Sequence, residues 1–105
     1  MQQINISYPE ANEKLKTLLT LSKTHHKQHE VGTGFLKAGT RMPDAGKSAH
    51  ARHEVSIIVD GMLKTSSGGQ TVLLQAGDIV SIPELQEQST EVVEDTRLIY
   101  IFFDK

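Results

Sequence analysis

The sequence predicts an all-β sandwich or barrel, built from about seven to nine short strands. Two observations carry this. From His29 onward, short runs rich in β-branched and aromatic residues recur at fairly even spacing, bounded by Gly, Pro, Asp and Ser. Only one segment, near the N-terminus, carries helical signals. At 105 residues the chain has the length of one domain. The expected division is an N-terminal extension over 1–28 and a barrel over 29–105.

Taken in order, Tyr8–Lys16 has Pro9 where a first helical turn tolerates it, with Glu10 and Lys14 spaced as an i,i+4 pair. A short helix is expected here. The cluster Leu15, Leu18, Leu19 and Leu21 extends that helix or begins a strand, because Thr17, Thr20 and Thr24 are β-branched. His29–Ala38 reads as a strand that stops at Gly39. Gly39–Gly46 contains Pro43 and reads as a loop. Glu54–Val59 is a strand, and Asp60-Gly61 has the composition of a two-residue hairpin turn. Met62–Thr65, Gln70–Leu74, Asp78–Ile82, Ser89–Val93 and Leu98–Phe103 complete the set. Turns are expected at Ser66-Ser67-Gly68-Gly69, Ala76-Gly77 and Asp95-Thr96. The last run, LIYIFF, is continuously apolar, which predicts cover on both faces.

Composition excludes several function classes. There is no Cys and no Trp, so any metal must take nitrogen and oxygen ligands. No run approaches the ~20 apolar residues of a membrane helix, and the polar start MQQINISYPE lacks an apolar signal core. A cytoplasmic location is expected. A net charge of −2 argues against nucleic acid or an anionic membrane as partner. That charge is divided unevenly. Residues 1–53 hold eight Lys/Arg against four Asp/Glu, a net +4, and residues 54–105 hold three against nine, a net −6. The two halves either pair their charges across one barrel or meet across a contact between two subunits. No GxSxG, P-loop, GxGxxG or HExxH pattern is present.

Two segments carry the chemistry. Gly46–Gly61, GKSAHARHEVSIIVDG, holds His50 and Glu54, and Gly77–Pro83 reads GDIVSIP. In this order they resemble the paired motifs of the cupin superfamily, over Phe35 to Phe103. The resemblance implies a double-stranded β-helix (jelly-roll) barrel, with room for the short N-terminal helix. It also implies a homodimer and one divalent metal, Fe, Mn, Zn or Ni, without an organic cofactor. Family members use two alternating His, a Glu and a later His. Counting from Gly61 and Pro83 puts Glu54 and His50 at two of these positions, and Ser48 and Gln88 where the other two His are expected. Leu85 stands where the second motif has Gly.

The implied metal set is His50, Glu54 and Gln88, with His53 as a further candidate and His50 the best candidate for a catalytic base. Four residues of straight strand span about 13 Å, so His50 and Glu54 share an ion only if the chain bends near Ala51–His53. Such a bend turns His53 inward, whereas regular alternation points it away from Glu54. Arg52 either pairs with Glu54, binds an acidic substrate or lies on the surface. Ser48, Arg52, Met42, Ser56, Ile58 and Phe102 are candidate pocket residues. The cluster Thr24–His29 reads as a solvated turn. Three functions stay open: a metal-dependent enzyme acting on a small carbonyl or acidic substrate, a non-catalytic module that holds a small polar or acidic ligand without metal, and metal-free acid–base catalysis on a sugar or keto acid with His50 as the base. The Leu15–Leu21 cluster and LIYIFF are candidate subunit contacts.

Overall fold

The structure, a computed structural model, describes residues 1–10, 13–24, 27–49 and 51–104. It contains seven strands: β1 (Leu15–Thr24), β2 (Lys27–Leu36), β3 (Arg41–Met42), β4 (His53–Ser67), β5 (Gln70–Gln75), β6 (Ile79–Ile82) and β7 (Gln88–Phe103). All pairings are antiparallel. The strand order is β1-β2-β7-β4-β5, with β3 also on β7 and β6 also on β4. Among the described residues no helix is long and apolar enough to cross a membrane.

The helix expected over Tyr8–Lys16 is absent among the described residues. Leu15 already pairs with Gly34, and β1 continues antiparallel to β2 as far as Thr24. Pairing with β2 thus overrides the local Pro9 and Glu10 signals, and the Thr-rich composition favours the strand. The boundary between 28 and 29 falls inside β2. The loop Gly39–Gly46 contains the two-residue β3, whose Arg41 and Met42 sit opposite Glu91 and Thr90. His25 and His26 lie outside the described residues, and His29 lies in β2.

The largest correction concerns two expected turns. Neither Asp60-Gly61 nor Asp95-Thr96 reverses the chain, and β4 and β7 run continuously through them. The sixteen residues of β7 would span about 50 Å if straight, yet the longest dimension of the molecule is 37 Å. The strand must bend, and it does so together with β4. Their ladder is irregular between Ile58 and Leu63, opposite Val92 to Leu98. Side chains replace the missing ladder bonds. Thr96 Oγ1 accepts from Met62 N at 3.0 Å and donates to Glu94 O at 2.8 Å. Asp60 Oδ1 accepts from Arg97 N at 3.1 Å, and Asp60 pairs with the Arg97 guanidinium at 3.6 Å. Gly61 has φ 98°, and a Cβ there would lie 2.4 Å from Asp95 O. Turn composition therefore marked a local bend correctly and its direction wrongly, as a bulge and a turn ask for the same residues.

The bend divides each long strand into two limbs and the barrel into two sheets. One sheet holds β1, β2, the C-terminal limb of β7, the N-terminal limb of β4, and β6. The other holds β3, the remaining limbs of β7 and β4, and β5. Between them lies a core of Leu36, Ile58, Leu63, Leu74, Val92, Leu98, Tyr100 and Phe102. LIYIFF is not covered on both faces. Leu98, Tyr100 and Phe102 are buried inside, whereas Ile99, Ile101 and Phe103 point outward and stay partly accessible. The N-terminal segment crosses part of that outer face, where Thr33 Oγ1 donates to Ser7 O at 2.6 Å.

Two left-handed positions test this account. Gly61→Ala should destabilise by about 2–4 kcal/mol in chemical denaturation, because a Cβ meets backbone that cannot yield. Leu85 is the one described non-glycine residue with positive φ, at 65°, and is 73% exposed. Leu85→Gly should therefore raise stability by about 0.5–1 kcal/mol, the left-handed penalty outweighing glycine's entropy.

Candidate functional site

The two sheets enclose a cavity of about 200 Å³. Its wall is graded by the register of β4 and β7. Nearest the bend stand Ile58 opposite Leu98, with Leu63 on the far limb of β4, all apolar. One step further out Ser56 faces Tyr100's strand position and Thr65 pairs with Thr90, whose hydroxyls share a 2.8 Å hydrogen bond. Furthest out are Glu54, opposite Phe102, and Gln88. Polar groups thus appear only away from the bend, where Phe102, Ile82 and Met42 line the cavity beside them.

Met42, Ser48, Glu54, Ser56, Ile58, Gln88 and Phe102, all candidates from the sequence, line this cavity. Ser48 is brought there by an isolated bridge to Gln88, with paired backbone hydrogen bonds of 2.9 and 2.7 Å. Arg41 holds the preceding loop by donating to Pro43 O at 2.6 Å and Gly46 O at 2.8 Å. Ser56 Oγ lies 3.5 Å from Glu54 Oε2, to which it donates. His50 lies outside the described residues.

His53 does not join Glu54. Ala51 and Arg52 form a bend, but β4 starts at His53, and alternation sends neighbouring side chains to opposite faces. His53 stacks on Phe103 with ring centroids 4.8 Å apart, and its Nε2 shares a 2.6 Å hydrogen bond with Ser81 Oγ. Arg52 contacts Glu30 rather than Glu54. Its Nη1 donates to Glu30 Oε1 at 3.3 Å, and the guanidinium lies 4.6 Å from the centroid of the Phe102 ring. Among the described residues no three His, Asp or Glu side chains gather as a metal site.

Sequence inspection missed the group around Glu30. Its Oε2 accepts from Tyr100 Oη at 2.8 Å and from Thr17 Oγ1 at 3.0 Å. Tyr100 is only 3% exposed and lines the cavity, so this network forms part of its wall. Gly32 makes room for the ring, since a Cβ there would lie 2.4 Å from Tyr100 Cζ. Burial pushes the Glu30 pKa up, but hydrogen bonds from Tyr100, Thr17 and Arg52, with the Arg52 charge, outweigh it and hold the carboxyl below 4.5. Burial, followed by the Glu30 hydrogen bond and charge, raises the Tyr100 pKa above 10.0 against the opposing Thr17 and Arg52 contributions. The inward phase of Tyr100 was readable from alternation in LIYIFF. That it meets Glu30 depends on the β2–β7 pairing, which no local pattern states.

A jelly roll of this kind, with its cavity between two sheets and its motif residues on the cavity wall, is a cupin. Solved structures agree on the fold. An RmlC-like cupin family protein from Methanocaldococcus jannaschii superposes with a TM-score of 0.73 at 17% identity, over 98% of this chain and 90% of that one. A putative ethanolamine utilization protein Q from Salmonella typhimurium LT2 gives 0.63 at 17% identity, over 85% and 67%. The Clostridium difficile EutQ protein gives 0.62 at 20%, over 85% of this chain but only 65% of that one. Comparison with curated protein sequences finds no match. The family model described as Ethanolamine utilisation protein EutQ matches residues 2–105, and the chain belongs to that family.

The Glu30 network predicts a pH signature. A carboxyl held below its ordinary pKa contributes stability above the unfolded value and loses it as pH falls through the folded one. Glu30→Gln should lower stability near neutral pH by about 1–3 kcal/mol, by weakening charge-assisted hydrogen bonds. It should also flatten the acid limb of a stability–pH curve measured by urea unfolding. Tyr100 has a raised pKa, so its contribution is present below the unfolded value and is lost as pH rises. Tyr100→Phe should flatten the alkaline limb.

Proposed function

We propose that this cupin binds a small polar molecule inside its barrel, with the polar part at Gln88 and Glu54 and the apolar part toward Ile58, Leu63 and Leu98. The observation that carries this is Gln88. Its side chain is 8% exposed and lines the cavity. Its backbone is fixed by paired hydrogen bonds to Ser48, which leaves the amide facing the cavity beside Glu54. An amide that faces a cavity offers one acceptor and two donors to a bound polar group. The graded wall supports the orientation. A cavity of about 200 Å³ suits a small molecule.

A divalent metal is the second reading. It is supported by Glu54 and Gln88 facing one cavity and by the sequence position of His50, four residues before Glu54. With His53 turned outward, the described residues supply one carboxylate and one amide, short of the three protein ligands usual for such ions. Metal binding in this chain therefore rests on His50.

Metal analysis and thermal shift on protein purified without a nickel tag separate the two. The compound panel is small amines, alcohols, amides, sugars and keto acids, with ethanolamine included because relatives are named for its utilisation. The first reading expects stabilisation that chelator leaves unchanged and that Gln88→Leu removes, while Gln88→Leu leaves the unliganded protein as stable or more so. Loss of Tm with chelator, restored by Fe, Mn, Zn or Ni, selects the second. No stabilising compound and no bound or accepted metal would sink both.

A further inference from the structure

Most hydroxyls on the cavity wall already have protein partners. Among the described residues, those between the outer end and the bend belong to Ser56, Thr65, Thr90 and Tyr100. Ser56 Oγ donates to Glu54 Oε2 at 3.5 Å, and Thr65 and Thr90 share a 2.8 Å hydrogen bond. Tyr100 Oη donates to Glu30 Oε2 at 2.8 Å. The middle of the wall is therefore less polar than its residue types suggest. Deeper still it is aliphatic, with Leu36, Ile58, Leu63, Leu74 and Leu98. At the outer end stand Ser48, Glu54 and Gln88, on three separate segments of chain.

We infer, resting on the proposal that the barrel holds a small molecule, that its ligand is an aliphatic chain with one polar end. The chain runs from Gln88 toward Ile58 and Leu98. A sugar or polyol, polar along its length, would press hydroxyls against Ile58, Leu63 and Leu98. Each would lose its water without gaining a partner, which costs on the order of tenfold in affinity. A methylene in the same place gains about fourfold. Volume sets the length of the chain. An aliphatic cavity of about 150 Å³ accommodates benzene. This one holds about 200 Å³, which suits a chain of about four to six carbons with its polar end. The floor is a firm stop. Ile58 and Leu98 stand opposite each other there, 1% and 6% exposed. Behind them Gly61 and Thr96 already meet too closely to admit a Cβ. A longer chain finds no further depth, so Ile58 and Leu98 set the length that the site accepts.

Isothermal titration calorimetry on the wild-type protein tests this with straight-chain compounds from ethyl to decyl. Parallel series end in hydroxyl, primary amide, ammonium or carboxylate, and glycerol, erythritol and glucose serve as polyol controls. In the series whose end group fits, Kd should fall about fourfold with each added methylene. It should reach its minimum between butyl and hexyl and rise beyond. Gln88→Leu should weaken all members of that series by a similar factor and leave the dependence on length unchanged. Ile58→Val removes one methyl from the floor at small cost in stability, and should move the minimum by about one carbon. Leu63→Ala should move it further, with circular dichroism checking the fold of both variants. Polyols that bind while the alkyl series gain nothing from length overturn the inference and leave the barrel a small-molecule site. A minimum that neither Ile58→Val nor Leu63→Ala moves also overturns it. If no compound of either kind binds, the proposal beneath it falls as well.

Discussion

Two long paired strands enclose a space only if they fold over together, and Gly61 against Thr96 is where β4 and β7 do so. The absence of a side chain at Gly61 lets the two backbones close to within a distance that no Cβ would permit. Thr96, fully buried, then supplies the hydrogen bonds that the irregular ladder lacks. The rest follows from this corner. It opposes the two limbs of each strand, and so turns one continuous hydrogen-bonded sheet into a barrel with two walls. Every cavity residue on β4 and β7 owes its position to its distance from the bend.

The polarity of the cavity is a consequence of the same geometry. Residues near the corner are closed in by both sheets and are aliphatic. Farther out the wall gains the hydroxyls of Ser56, Thr65 and Thr90, the Gln88 amide and the Glu54 carboxylate, set among the apolar Met42, Ile82 and Phe102. On the wall beyond them Glu30 is fixed in its charged form by three donors contributed by β1, β7 and the loop before β4. A half-buried carboxylate with that many donors ties three separate pieces of chain to one point. It rigidifies the side of the barrel where Tyr100 and Phe102 face the ligand space.

Much of the cavity wall is legible in the chain itself. Counting from Gly61 and Pro83 picks out Glu54 and Gln88, and these line the cavity together with Ser48, Met42, Ser56, Ile58 and Phe102. Alternation along a strand is a local rule, so it survives folding and places these side chains well. The same rule sends His53 outward, against the alternative in which a bend recruits it. The structure also explains Leu85. That position has the left-handed backbone for which a glycine is expected, and here a leucine occupies it.

What the sequence determined by itself was the local alternation: which residues can face inward together, where the backbone must bend, and that the elements are strands. It also determined the cupin class, because the two motifs encode turns and strand phase directly. Only the tertiary structure decided where the bends lead. Asp60-Gly61 and Asp95-Thr96 look like chain reversals in isolation and become one shared corner, because each finds the other across the ladder. Leu15–Thr24 looks partly helical and becomes a strand, because β2 offers it hydrogen bonds. Glu30 meets Tyr100 across a separation of 70 residues. Such outcomes depend on pairing between distant segments, whose register no local pattern contains.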